Sequence, residues 1–238
     1  MKHATKYHSV LLALILLVVS GCATSYSSHG TGLVHDLRIK TVACIGDSIT
    51  YGSALENRES QSYPTALGRK LGSGWRVSNY GVPAERAVDY IDDPIFQKVI
   101  EENPDLVVVM LGANDSGSRW SGKQDFEERY TDLIQSLRGM PSSPRILVCI
   151  PFAMAPSFAP ESHLWDVIES INVVAKAQGL EIIRTDRRFW NKTHLFVDGV
   201  HPSPKGAQLL ADEIYRAIAN KSATPKDHLR VIGEYFLK

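Results

Sequence analysis

The chain has little of what would place a protein at a glance. It holds three cysteines in 238 residues, Cys22, Cys44 and Cys149, at no metal-like or CxxC spacing, which argues against a redox or cysteine-metal centre. Cys44 and Cys149 each lie inside an apolar run and are expected to be buried, reduced and structural. No HxH or HExxH cluster occurs, so the common ligand spacings of a metallohydrolase are missing, and no metal or other cofactor is implied. Neither sign of charge is in excess, with Lys+Arg and Asp+Glu at 26 each. That balance leaves no electrostatic footprint for nucleic acid. The compact apolar run Val10–Val19 stops well short of the ~20 residues a membrane-spanning helix needs. There is no internal repeat at solenoid or propeller spacing. What is present is enough chain for one domain with a sizeable core.

Lys2 and Lys6 precede the Val10–Val19 run, and a basic start followed by a short apolar stretch reads as a secretory signal over residues 1–21. Its loss leaves 24 basic against 26 acidic side chains, since only Lys2 and Lys6 leave with it. The run closes on Val19-Ser20-Gly21-Cys22, which resembles the lipobox of bacterial lipoproteins. The resemblance implies lipidation of Cys22 and a membrane anchor through it. Ala23 at the next position resembles an outer-membrane address. Residues 22–36, rich in Ser, Gly and Thr, read as a flexible tether.

From Leu37 the chain acquires a rhythm. Apolar, β-branched runs recur at 41–45, 75–80, 106–111, 145–150 and 180–184. Helical spacing fills 94–102, 124–138, 164–178 and about 204–219, the last with Ser203 as N-cap and Pro204 as first residue. Strands alternating with helices imply a parallel five-stranded sheet covered on both faces, a three-layer α/β/α sandwich over residues 37–220. The last stretch, 221–238, has no evident role.

In such sheets ligands bind beyond the carboxyl ends of the strands. Four stretches fall there or can reach it: Gly46-Asp47-Ser48, Asn79–Ala84, Gly112–Asp115, and Asp198–His201. Singly each has an ordinary explanation as a turn, a cap or a surface loop. Jointly they supply a hydroxyl nucleophile, a base, an orienting acid and an amide donor, the parts that acyl transfer to water requires. Serine needs a base to take its proton as it attacks. His201 is the candidate base, and Asp198, three residues earlier, can hold its other ring nitrogen.

The blocks GDSI (46–49), NYGVPA (79–84), GAND (112–115) and DGVH (198–201) resemble those of the SGNH, or GDSL-type, hydrolases, esterases and lipases of flavodoxin-like fold. The wording is most similar to the carbohydrate acetylesterase branch, sialate O-acetylesterases included. The resemblance implies a Ser48–His201–Asp198 triad. It also implies an oxyanion hole from the Ser48 N–H, the Asn114 amide and a backbone N–H of the second block. That last position, usually glycine in the family, falls here on Ala84, with Gly81 as the alternative donor. Asp47 is expected to brace the turn at Ser48, Asp115 to brace the loop, and Gly112 to let the backbone pass close to substrate.

Arg119, Trp120, Phe152 and Trp165 follow the third and fourth strands and are the candidate pocket residues, able to meet a sugar ring or a carboxylate. With no long apolar lid in the sequence, the expected substrate is a short acyl ester, acetyl on a small molecule or glycan. Two other readings share the residues: a carbohydrate-binding lipoprotein without activity, and a phosphoesterase with a metal on Asp47, Asn114, Asp198 and His201.

Overall fold

The computed structural model describes residues 38–152 and 162–220. The expected signal, tether, C-terminal tail and Cys22 lie outside the described residues. Strands β1 (Lys40–Gly46), β2 (Trp75–Gly81), β3 (Leu106–Met110), β4 (Arg145–Cys149) and β5 (Glu181–Ile183) form one parallel sheet in the order β2-β1-β3-β4-β5. Every expected strand is present, with each end within one residue of its expected place.

The helices are α1 (Ser48–Tyr51), α2 (Arg58–Gln61), α3 (Tyr63–Leu71), α4 (Pro94–Glu102), α5 (Lys123–Arg138), α6 (Leu164–Gln178), α7 (Thr185–Phe189) and α8 (Pro204–Ala219). Their starts have visible causes. The Asp93 carboxylate accepts the Ile95 N–H at 2.7 Å, one residue into α4. Ser203 Oγ accepts the Gly206 N–H to open α8, a cap worth about 1 kcal/mol.

Alternate strand residues serve opposite faces of the sheet. Ala43, Ile45, Val107, Val109, Ile146 and Val148 pack against the inner stripes of α4, α5 and α6. Val42, Cys44, Val108, Met110, Leu147 and Cys149 pack against α3, α7 and α8. β3 is buried along its whole length, so each of its side chains contributes on the order of 1.5–3 kcal/mol of burial. Cys44 and Cys149 are free and buried on that second face, and burial pushes both thiols far up.

The strand order locates the site. From β1 the chain moves to the β2 side of the sheet, then returns to place β3 on β1's other side. Loops leaving β1 and β3 therefore diverge, opening a crevice at the carboxyl edge. Gly46 and Gly81 end β1 and β2 as register partners, and the single turn of α1 lies against both. A Cβ on Gly81 would sit 2.1 Å from Tyr51 N and 2.7 Å from the Thr50 carbonyl carbon. A Cβ on Gly46 would sit 2.7 Å from Met110 O and closer still to the Thr50 hydroxyl. Gly81→Ala is therefore expected to destabilise the fold by about 3 kcal/mol, read as a lower urea midpoint at unchanged m value. A midpoint equal to that of the native protein would mean that α1 does not rest on β2.

Candidate active site

Ser48 is the first residue of α1, half-buried at the edge of the sheet. The preceding Asp47 caps this turn: its carboxylate accepts the Ile49 N–H at 2.9 Å. Gly52 closes the turn in the left-handed region, returning its N–H to Ser48 O at 3.0 Å. At a helix start the first N–H groups have no carbonyl one turn back. With Asp47 taking that of Ile49, the Ser48 N–H is left without a partner among the described residues. Asp47 itself is 2% exposed. Burial pushes its carboxyl up to about 7, against the pull of the Ile49 N–H and of His201.

His201 reaches Ser48 from a small hairpin. Phe196 and Pro202 pair in antiparallel fashion, and Val197 N–H donates to His201 O at 2.9 Å. The loop so closed turns at Gly199, whose φ is +83°. His201 Nε2 lies 3.0 Å from Ser48 Oγ, and Nδ1 lies 2.7 Å from Asp198 Oδ2. Asp198 Oδ1 accepts the backbone N–H groups of Val200 and His201 at 2.9 and 2.7 Å. Partial desolvation raises the Asp198 carboxyl, but the His201 N–H, the imidazole and the Val200 N–H outweigh it and hold it at about 2. Asp198 is therefore a carboxylate across the neutral range, fixed on the far nitrogen of the ring that faces the serine.

The loop after β2 forms the opposite wall. Asn114 Nδ2 donates to Glu85 O at 2.8 Å, and the second N–H of that amide has no partner among the described residues. The buried Asp115 carboxylate accepts the N–H groups of Ala87 and Val88 at 2.8 and 3.2 Å. Burial raises its pKa against those two bonds. Between these anchors Ala84 is exposed, with φ at +64° and no hydrogen bond on its N–H among the described residues. The position thus keeps the conformation glycine would take, and a side chain there costs roughly 1–2 kcal/mol. Gly81 is not a free donor: its N–H is held by Asn79 Oδ1 at 3.0 Å. Asn79, the first residue of the second block, also donates to Thr50 O at 2.8 Å and ties β2 to α1.

Other expected roles change. Gly112, with φ +116°, lies against α6: a Cβ there would meet Val167 Cγ1 at 2.9 Å and Ile171 Cδ1 at 3.1 Å. Phe152 is 5% exposed, stacked on Phe189 at 4.2 Å and set edge-on to Phe196, so it is core and not pocket lining. Trp120 is half-buried, stacked with His163 at 5.6 Å and packed on Phe126. Arg119 is exposed, and its carbonyl accepts from Arg86. Trp165 is 55% exposed and pairs with Trp190, which sequence reasoning passed over. The four side chains of the metal reading do not converge: Asp47 caps α1, Asn114 holds Glu85 O, and Asp198 holds His201. Among the described residues no three His, Cys, Asp or Glu side chains gather as a ligand group.

A sequence model of the GDSL-like lipase/acylhydrolase family matches residues 44–209. An acetylxylan esterase of Xylanibacter ruminicola is 32% identical over 207 residues, covering 74% of this chain and 42% of that protein. The chain thus spans less than half the length of that relative. A GDSL lipase of Mycobacterium tuberculosis is 28% identical over 218 residues, covering 86% of this chain and 91% of its own. The crystal structure of a lipase/acylhydrolase from Enterococcus faecalis superposes with a TM-score of 0.65 at 25% identity, over 75% of this chain and 95% of that one.

The site yields two stability predictions. Asp47 holds its proton up to about 7 when folded but only to about 3.9 when unfolded. The native state therefore binds more protons between those values, and stability falls as pH rises through that window. Asp47→Asn keeps an acceptor for the Ile49 N–H but does not titrate. From about pH 5 to pH 8 the native protein should lose stability relative to this variant by on the order of a few kcal/mol. Urea midpoints that move in parallel for the two proteins would refute it. At Ala84, glycine relieves the left-handed strain but adds freedom to the unfolded chain. Ala84→Gly should raise stability by about 0.5–1 kcal/mol in the same measurement, and a lower midpoint would contradict the +64° φ.

Proposed function

The chain belongs to the GDSL-like lipase/acylhydrolase family, and from that membership and the geometry of the site we propose that it is a serine esterase acting on short acyl esters of carbohydrates. The observation that carries the reading is the line Ser48 Oγ, His201 Nε2, His201 Nδ1, Asp198 Oδ2, with separations of 3.0 and 2.7 Å. His201 Nε2 takes the Ser48 proton as Oγ attacks the ester carbonyl. The ionised Asp198 keeps a proton on Nδ1, so that Nε2 is free to accept. The oxyanion is met by the Ser48 N–H, the Ala84 N–H and the second N–H of the Asn114 amide, each worth on the order of 10²–10³ in rate. His201 then protonates the departing alcohol, leaving an acyl group on Ser48. Water, activated by the same imidazole, releases the acid.

The acetylxylan esterase relative supports acetyl as the acyl group and a glycan as the alcohol. The lipase relative sets longer acyl chains as the comparison. The lipobox-like Val19–Cys22 supports attachment to a bacterial outer membrane through Cys22, which would place such an enzyme where glycans are met.

The test is acetate release from p-nitrophenyl acetate and from acetylated xylo-oligosaccharides by the native protein and by Ser48→Ala, with and without chelator. Ser48→Ala should lose on the order of 10⁴-fold in kcat, and chelator should have no effect. Equal near-background rates for both proteins would move a non-catalytic glycan-binding role to the front. Loss of activity on chelation would favour metal chemistry. Faster turnover of octanoate than acetate esters would contradict the short-chain reading.

A further inference from the structure

The hairpin that brings His201 to Ser48 also leaves apolar side chains in water. Val197 is 55% exposed and Val200 40%, and between them lie only Asp198 and Gly199. The valines of β1, β3 and β4 are fully buried and belong to the core. Val197 adds nothing to that core, so its side chain is open to a ligand.

The pairing of the hairpin fixes which face Val197 occupies. Phe196 and Pro202 are antiparallel partners, and two hydrogen bonds bracket them. The Ser203 N–H donates to Leu195 O at 2.7 Å, and the Val197 N–H donates to His201 O at 2.9 Å. The His201 N–H, which could return that bond, goes instead to Asp198 Oδ1 at 2.7 Å. In an antiparallel pair, residues directly opposite share a face and successive residues alternate. Phe196 and Pro202 share the inner face, where Phe196 meets Phe152 and Phe189 and Pro202 is buried. Val197 and His201 share the other, at the roughly 5 Å Cβ separation of facing residues. The imidazole that meets Ser48 thus has an exposed aliphatic side chain as its neighbour across the hairpin.

We propose that Val197 is a specificity-determining residue for the alcohol portion of the ester, a reading that rests on the esterase function proposed above. The chemistry assigns the side. His201 Nε2 gives its proton to the ester oxygen as the carbon–oxygen bond to the alcohol breaks, so that oxygen comes within about 3 Å of Nε2. In the tetrahedral intermediate the oxyanion is directed to the Ala84 and Asn114 donors, and the acyl substituent takes the position left on the carbon. The alcohol's carbons therefore lie on the hairpin side, next to Val197. The C–H groups flanking an esterified sugar carbon leave water against the valine methyls. Valine also has no hydrogen-bonding group to compete with Nε2 for the departing oxygen. The methyl of a methyl ester offers little such surface. The contact lasts only while the alcohol is attached, so it acts on formation of the acyl-enzyme and not on its hydrolysis.

The test compares the native protein with Val197→Ala and with Val197→Thr, which keeps the shape and exchanges one methyl for a hydroxyl. Urea midpoints show that both variants fold. On acetylated xylo-oligosaccharides, kcat/KM should fall about three- to tenfold, and about three times further than on methyl acetate. With the alcohol held constant, p-nitrophenyl acetate and p-nitrophenyl butyrate should fall by the same factor. Release of the acetyl group, read as the steady phase after the p-nitrophenolate burst, should change least. Equal losses on the oligosaccharides and on methyl acetate, or burst and steady phase slowed alike, would make Val197 a positioning residue for His201 and overturn the alcohol contact. A loss that grows from acetate to butyrate would put Val197 against the acyl chain and overturn it as well. The two readings fail differently. Turnover by the native protein that both variants match leaves the esterase and removes the contact, whereas no turnover of any ester by the native protein removes both.

Discussion

The bond between His201 Nε2 and Ser48 Oγ joins residues 153 positions apart, and most of the fold's particular features serve to bring its two ends to 3.0 Å. One end is held by the junction of β1, β2 and α1. Two glycines facing each other across the strand pair allow a single helical turn to lie directly on the strand ends, with no side chain between. The other end is held by a two-residue bridge and by Gly206, where a Cβ would come within 2.4 Å of Leu195 O. Close backbone approach, possible only at glycine, fixes both partners more firmly than side-chain packing could. The histidine itself is carried on a loop, yet that loop is tied to the start of the amphipathic α8, whose inner face is core.

The loop after β2 shows a different solution. Its Val82, Ala87 and Val88 join the core, and its backbone is held by polar groups from the turn after β3. Asn114 takes the carbonyl of Glu85, and Asp115 takes the N–H groups of Ala87 and Val88. A carboxyl group buried this deeply is unfavourable unless bonded, so Asp115 and the loop stabilise one another. That mutual hold is what can sustain Ala84 in the left-handed region. Local strain persists where surrounding structure over-determines it, and here it leaves the Ala84 N–H without a partner among the described residues.

The elements legible in the sequence are those whose signal is repeated along the chain. Five apolar runs and four long amphipathic stretches each contain several turns or alternations, so their ends emerged within a residue. α1 and α2, four residues each, are too short to show a period, and α3 carries Pro64 and Gly68 inside nine residues. Their helical state comes from packing against β2 and α8. Among pocket residues, position after a strand said which edge of the sheet a side chain is near but not which way the chain turns next. Phe152 turns under the sheet into the aromatic core, whereas Trp165 turns outward. At Gly112 the side-chain space is taken by α6, a contact that its place after β3 does not announce.

By itself, then, the sequence determined the layers of the fold, the edge of the sheet that matters, and which serine, histidine and aspartate meet there, since each rests on residue type and short-range order. Membership of the family follows from the same blocks. Only the tertiary structure decided that Gly81 is a packing residue with its N–H already bound, that Ala84 adopts the glycine conformation, that Asp47 sits where its proton is held, and that Trp165 has a partner in Trp190. These are properties of contacts between segments distant in the chain. Burial, backbone strain and ring-to-ring geometry are set by what arrives from elsewhere in the fold, and no local pattern of residues encodes the neighbour.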